Sequence, residues 1–239
     1  MKKSITELLV GALLGDAHIG RTGLNKAFIT FEQSAKKADY LNHLFQEIKK
    51  QGLPIRDNSL REYTRSDARY NVNNSSLYFR TESLEEIKPL AEMFLDKSGK
   101  KRVPTNIAEH LTEKSLAYWI MDDGQQVKRG GVTLCTDSFN SQEINILRDA
   151  LKTNFNLITS IHKKKGSNES IYERIYINKD SLDSIKPSLI PHMHDSMLYK
   201  INVNMEFKQD TSDFVNESEV ISDTDIFFFL TTTTTKNNF

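Results

Sequence analysis

The sequence predicts an α+β fold built from two similar halves, each leaving one face of an antiparallel β-sheet open. Two observations carry this. Ser83-Leu84-Glu85-Glu86-Ile87-Lys88-Pro89 returns as Ser181-Leu182-Asp183-Ser184-Ile185-Lys186-Pro187, with Ser, Leu, Ile, Lys and Pro in matching places. Around these segments the same five elements recur in the same order, the pattern of a duplicated unit whose working parts meet at a pseudo-twofold axis. Each half has too few helices to cover both sides of a sheet, so one side stays open. The expected boundaries are 1–103 for the first half, 104–203 for the second and 204–239 for a tail.

Each half opens with an apolar helical run ending in an acid, residues 8–16 and 116–123. A helix that is apolar all round is a buried one. Gly11 and Ala12 let a partner helix approach closely, and Tyr118 and Trp119 have the bulk to fill the space opposite. A strand follows, at 27–33 and 132–137. An amphipathic helix comes next, marked by Leu41, Leu44, Phe45 and Ile48, then by Ile144, Leu147, Leu151 and Phe155. Hairpins are expected at 59–65 with 69–80 and at 157–165 with 171–178. The helix carrying the repeated segment closes each half, and a lysine trails it, Lys101 and Lys200. Beyond Ile201 the chain holds two basic against seven acidic residues and ends near Phe227-Phe228-Phe229-Leu230 and five threonines. That composition predicts disorder.

Two buried helices packed at the dyad bring Asp16 and Asp123 together at their C-terminal ends. Helix C-termini carry partial negative charge, and adjacent carboxylates repel. A hard divalent cation relieves both. Mg²⁺, which takes one or two carboxylates plus waters and substrate phosphate, fits this pair, and Mn²⁺ can substitute. Acids paired around such a metal suit phosphodiester hydrolysis. Cys135, the one cysteine, excludes an internal disulfide and is expected to be a small hydrophobe on a buried strand.

The two acid-ended segments, Leu9-Val10-Gly11-Ala12-Leu13-Leu14-Gly15-Asp16 and Leu116-Ala117-Tyr118-Trp119-Ile120-Met121-Asp122-Asp123-Gly124, resemble the signature of the LAGLIDADG homing endonucleases. Together with Leu134-Cys135-Thr136-Asp137-Ser138-Phe139, the second is similar to intron-encoded organellar members of that family. The resemblance spans roughly residues 5–201. It implies one αββαββα unit per half, two sheets forming a DNA-binding saddle, and a long asymmetric duplex target cut on both strands. By the same resemblance Asp16 and Asp123 are metal ligands, helped by backbone oxygens of Gly15 and Asp122, and Lys101 and Lys200 are active-site lysines. Ala17 replaces the final glycine of the first motif, and His18 follows it; His18 is given a structural role.

A formal charge of zero means that DNA contacts must come from local clusters. The first 200 residues hold thirty basic against twenty-five acidic groups. Ile29 and Phe31 are expected to face the helices, leaving Lys26, Thr30, Glu32 and Ser34 outward. Arg61, Arg65, Arg69, Asn71 and Asn73 extend the reading surface. In the second half Ile171, Ile175 and Ile177 turn inward and Tyr172, Arg174 and Tyr176 outward. Lys163 and Lys165 on a basic hairpin tip, and Arg21, Lys128 and Arg129 in the loops after the acids, suit phosphates. The opening Met1-Lys2-Lys3 lacks a secretory pattern, and no apolar run reaches the ~20 residues of a membrane span. The expectation is an intracellular monomer of organellar origin, in a mitochondrion or plastid, acting on double-stranded DNA. Two other readings stay open, a maturase for its own group I intron RNA and a catalytically inactive DNA-binding regulator.

Overall fold

A computed structural model describes residues 1–67, 72–166 and 169–203. Arg69, Asn71 and the acidic tail lie outside the described residues, as does the side chain of Asn73. Met1–Val203 forms one compact unit. Its elements run α1 (Lys3–Leu14), β1 (His18–Thr22), β2 (Lys26–Ser34), α2 (Ala38–Lys50), β3 (Arg61–Asp67), β4 (Val72–Arg80) and α3 (Lys88–Phe94). The order then repeats as α4 (Glu113–Asp123), β5 (Gly124–Gln126), β6 (Val132–Leu134), α5 (Ser141–Phe155), β7 (Thr159–Lys165), β8 (Ile171–Ile177) and α6 (Lys179–Leu189). Two antiparallel four-stranded sheets result, ordered β1-β2-β4-β3 and β5-β6-β8-β7.

The residue pattern alone shows one strand between the first two helices of each half, whereas the structure has two. β5 starts directly after Asp123 and β1 one residue beyond Asp16's neighbour Ala17, and three residues of β5 are too few for alternation to show. The repeated segments also differ in detail. In the second half Asn178 accepts a hydrogen bond from Ser181 N and starts α6 early, so Pro187 falls inside the helix. In the first half the residue in register with Asn178 is Arg80, the last of β4, and Leu84, which precedes the next turn, has no side-chain oxygen to offer. A 3₁₀ turn, Glu85–Ile87, forms instead, and α3 begins at Lys88 with proline in its first turn.

α1 and α4 pack across the middle of the molecule. A Cβ at Gly11 would stand 2.2 Å from the Ser115 carbonyl oxygen and 2.8 Å from Tyr118 Cβ. Leu8, Leu9, Leu13, Leu116, Ala117, Trp119 and Ile120 are fully buried around this contact. Gly11→Ala should therefore push the helices apart and cost about 1–3 kcal/mol, the usual range for overpacking. Urea denaturation should show a lower midpoint at unchanged slope; a wild-type midpoint would mean the helices do not meet at Gly11.

The same seam carries a histidine pair. His43 on α2 shares a hydrogen bond of 3.2 Å with Tyr118 Oη, and its ring centroid lies 4.9 Å from that of His194. Burial, then the nearby His194, lowers the His43 pKa, and Lys114 adds to this while Glu47 opposes it. A lowered folded-state pKa means the native state prefers the neutral ring. The stabilisation is complete above the unfolded value of about 6.5 and is lost as pH falls through the lowered value. Melting temperature should thus drop between about pH 7.5 and 5.5, and less steeply in His43→Gln. Equal slopes for the two proteins would remove His43 as the cause.

Candidate active site and nucleic-acid interface

α1 ends at Leu14, so Asp16 stands two residues past the helix, exposed, while Asp123 is the last residue of α4 and half-buried. The two come together with a third acid. Gln33 Nε2 donates to Asp16 Oδ2 at 2.7 Å and to Asp122 Oδ1 at 3.1 Å, and Tyr40 Oη donates to the same Asp122 oxygen at 2.9 Å. Gly15 lies so close to Asp122 that a Cβ there would sit 2.5 Å from Asp122 Cβ. Burial, then the charge of Asp16, pushes the Asp123 carboxyl up to about 7. The same two causes, in the same order, raise Asp122 well above the usual carboxylate range.

The lysines arrive from both halves in parallel fashion. Lys101 Nζ donates to the carbonyl oxygens of Gly15 (2.7 Å) and Ala17 (3.2 Å). Lys200 Nζ donates to those of Met121 and, at 3.0 Å, Asp122. Each ammonium thus grips the carbonyl just before its acid and keeps one of three N–H donors free. Burial lowers the Lys101 pKa, and burial followed by the charge of Lys37 brings Lys200 down to about 8. A cleft of about 450 Å³ opens here, lined among others by Lys37, Asp122, Asp123, Gln125, Cys135 and Lys200.

A divalent cation fits this donor set. The oxygens are hard, and beyond burial the charge of Asp16 raises the proton affinity of both Asp122 and Asp123, a repulsion that positive charge relieves. Among the described residues no three His, Cys, Asp or Glu side chains gather into a cage. The Gly15 and Asp122 carbonyls already accept lysine donors, so each has one lone pair left for a metal.

Residue patterns missed Gln33, Tyr40 and Lys37. Gln33 continues the inward parity of Ile29 and Phe31 and is 5% exposed. A polar residue at a core position is the signal that would have found it. Cys135 was expected in the core; it is half-buried at the cleft, its N–H donating to the Asp123 carbonyl at 3.0 Å.

The pairing register sorts the remaining residues by face. On the open face of the first sheet, His18, Thr30 and Arg80 form one row, and Glu32, Tyr78 and Arg61 the next. His18, the first residue of β1, is exposed there. Lys26 is exposed on this face, with Arg65 over the Tyr63 ring at 5.1 Å, and Arg61 bound to Asp57. Arg21 departs from expectation. It lies in β1 with helix-side parity, and its guanidinium donates to the Ala91, Leu95 and Asp96 carbonyls that close α3. Arg174 turns away from the core but is 8% exposed, paired with Asp137 and donating to Gln125 Oε1 at 2.9 Å. Ile171, expected inward, is 65% exposed at the end of its hairpin, while Ile175 and Ile177 are buried. Lys163 and Lys165 share the parity of Ile161 on the helix side; Lys164 lies between them on the Arg174 side. Lys128 and Arg129 are exposed in the turn between β5 and β6.

Comparison with known proteins agrees with this geometry. The chain is 29% identical over 213 residues to a probable intron-encoded endonuclease of Wickerhamomyces canadensis, covering 84% of this chain and 87% of the relative. It is 30% identical over 211 residues to DNA endonuclease I-ChuI of Chlamydomonas applanata, with 82% and 93% covered. A cytochrome b mRNA maturase bI2 of Debaryomyces hansenii is 27% identical over 202 residues, with 84% and 74% covered. The solved structure of the homing endonuclease I-WcaI bound to its DNA recognition sequence superposes with a TM-score of 0.73 at 26% identity, covering 85% of this chain and 88% of that one. Residues 6–185 match the LAGLIDADG DNA endonuclease family model, and the chain belongs to that family.

Proposed function

We propose that the protein is a monomeric homing endonuclease that makes a metal-dependent double-strand break in a long, asymmetric DNA duplex and so promotes the spread of its intron. One observation carries the reading: two halves each bring an acid and a lysine to one seam, between two sheets with open faces. The DNA-binding relatives and the intron-encoded names of others support it. A single chain supplies both halves of the site, so no second copy is required.

Asp16 and Asp123 hold Mg²⁺, with Mn²⁺ as a substitute, and the Gly15 and Asp122 carbonyls assist. When bound, the cation polarises the phosphate and activates water. In the hydrolysis a water oxygen bonds to phosphorus and one bridging P–O bond breaks. Its electron pair goes to the leaving sugar oxygen, which gains a proton as the water loses one. Gln33, holding Asp16 and Asp122 together, fixes the carboxylate that faces the cleft. The free N–H of Lys101 and of Lys200 meets charge developing on one phosphate each. Lys26, Arg61, Arg65, Lys128 and Arg129 contact DNA, joined by Arg80 and Lys164 on the open faces, and Arg174 reads a base edge once freed from Asp137.

The test is direct. Purified protein with Mg²⁺ should linearise a plasmid carrying the intronless allele of its host gene and spare the intron-containing allele. Equal cutting of both, or of neither, would overturn the reading. The maturase relative favours an organellar origin and a second activity on the protein's own group I intron RNA, which a splicing assay with the precursor RNA would reveal.

A further inference from the structure

The repeat puts Gly15 and Asp122 at equivalent places, each just before the acid that its helix delivers to the seam. One half supplies space there and the other supplies an acid. A Cβ at Gly15 would sit 2.8 Å from Asp122 Oδ2, and the Asp122 side chain reaches across into the first half. Asp122 is 6% exposed, and its Oδ1 accepts from two groups of that half, Tyr40 Oη at 2.9 Å and Gln33 Nε2 at 3.1 Å. Tyr40 is fully buried on α2. A carboxyl is costly to bury between apolar helices, and a polar group kept at such a place points to use.

These contacts form a chain that ends on a catalytic acid. Tyr40 donates to Asp122 Oδ1, so that oxygen presents an acceptor to the Gln33 amide. The amide nitrogen meets it, and the amide oxygen would not. The same nitrogen donates to Asp16 Oδ2 at 2.7 Å, which ties one oxygen of Asp16 and leaves the other for a cation. The second half does not repeat the chain: Thr136, in the place of Gln33, donates to the Glu173 carbonyl at 2.7 Å. We propose that Tyr40 and the Asp122 carboxyl are positioning residues for cleavage. Together they orient the Gln33 amide and through it the Asp16 carboxylate, and the Asp122 carboxyl is not itself a metal ligand. The inference rests on the endonuclease reading above.

Tyr40→Phe removes one hydroxyl and keeps the ring in the core. Cleavage of both end-labelled strands is followed at saturating DNA over a range of Mg²⁺. Alongside it, the rise in melting temperature that Mg²⁺ causes is measured without DNA. Tyr40→Phe should raise the Mg²⁺ needed for half-maximal cleavage by roughly tenfold. Both strands should show it alike, because Asp16 serves both cuts, and the melting rise at a fixed Mg²⁺ should shrink. Asp122→Ala should do more, up to roughly 100-fold. Asp122→Asn, whose Oδ1 can still accept from Tyr40 and Gln33, should recover most of that loss. Should Asp122→Ala not fold, Tyr40→Phe decides alone. A Tyr40→Phe protein that melts lower yet needs no more Mg²⁺ than wild type would reduce the chain to a structural contact and overturn the proposal. Asp122→Asn as impaired as Asp122→Ala would also overturn it, since the carboxyl charge would then hold the cation itself. Either result leaves the endonuclease reading intact, whereas a wild-type protein that neither cuts nor gains stability from Mg²⁺ would overturn both.

Discussion

Asp16→Asn and Asp123→Asn should each abolish double-strand cleavage, by a factor of roughly 10³ or more, while leaving folding and DNA binding in place. Asparagine keeps the size of the side chain and removes the charge that holds the cation. The change should also stabilise the metal-free protein, most clearly for Asp123. Its carboxyl is pushed up to about 7 by burial and by Asp16, so the native state resists its ionisation. A raised pKa means that stability is present below the unfolded value of about 4 and lost as pH rises through about 7. In EDTA at pH 8, Asp123→Asn should therefore melt a few degrees above wild type. Adding Mg²⁺ should raise the wild-type melting temperature and move the variant little. DNA affinity in the absence of divalent metal should hold or tighten slightly as repulsion between carboxylate and phosphate falls. Full cleavage by either variant would sink the shared metal site.

What the sequence made legible was whatever the duplication repeats. Asp16 and Asp123 end matching helices, and Lys101 and Lys200 follow matching ones, so repeat position alone brought them to one place. Gln33, Tyr40 and Lys37 have no such counterparts in kind, since Thr136 and Asn140 stand where Gln33 and Lys37 would repeat. Their roles arise from convergence of three elements on the seam, which periodicity within one element does not report. The open-face residues fail for another reason. A strand's alternation fixes two faces but not which long side chains find partners across them. Arg174 was assigned its face correctly, yet Asp137 and Gln125 on neighbouring segments claim its guanidinium. Arg21 was expected in a loop and Lys163 and Lys165 at a hairpin tip, whereas all three lie within strands, β1 and β7, where the alternation of the strand gives them the helix-side parity.

Lys101→Met and Lys200→Met should slow opposite strands. The acids sit at the seam and serve both cuts, whereas each lysine belongs to its own half and grips the carbonyl before its own acid. Methionine fills the buried space of the lysine stem but leaves those carbonyls without a donor and the phosphate without its cation. Losing one such contact costs roughly 10²–10³-fold in rate, by analogy with a removed oxyanion donor. Only the strand next to the changed half should pay that factor, so nicked plasmid should accumulate before linear product in both variants, with the nick on different strands. Stability separates this from simple damage. Lys200 is 4% exposed, and its loss should also lower the melting temperature by a few degrees, because the Met121 and Asp122 carbonyls are left unsatisfied. That loss acts on both strands alike and does not create a bias. If end-labelled strands slow equally in both variants, the lysines act through the shared acids, and their assignment to separate phosphates fails.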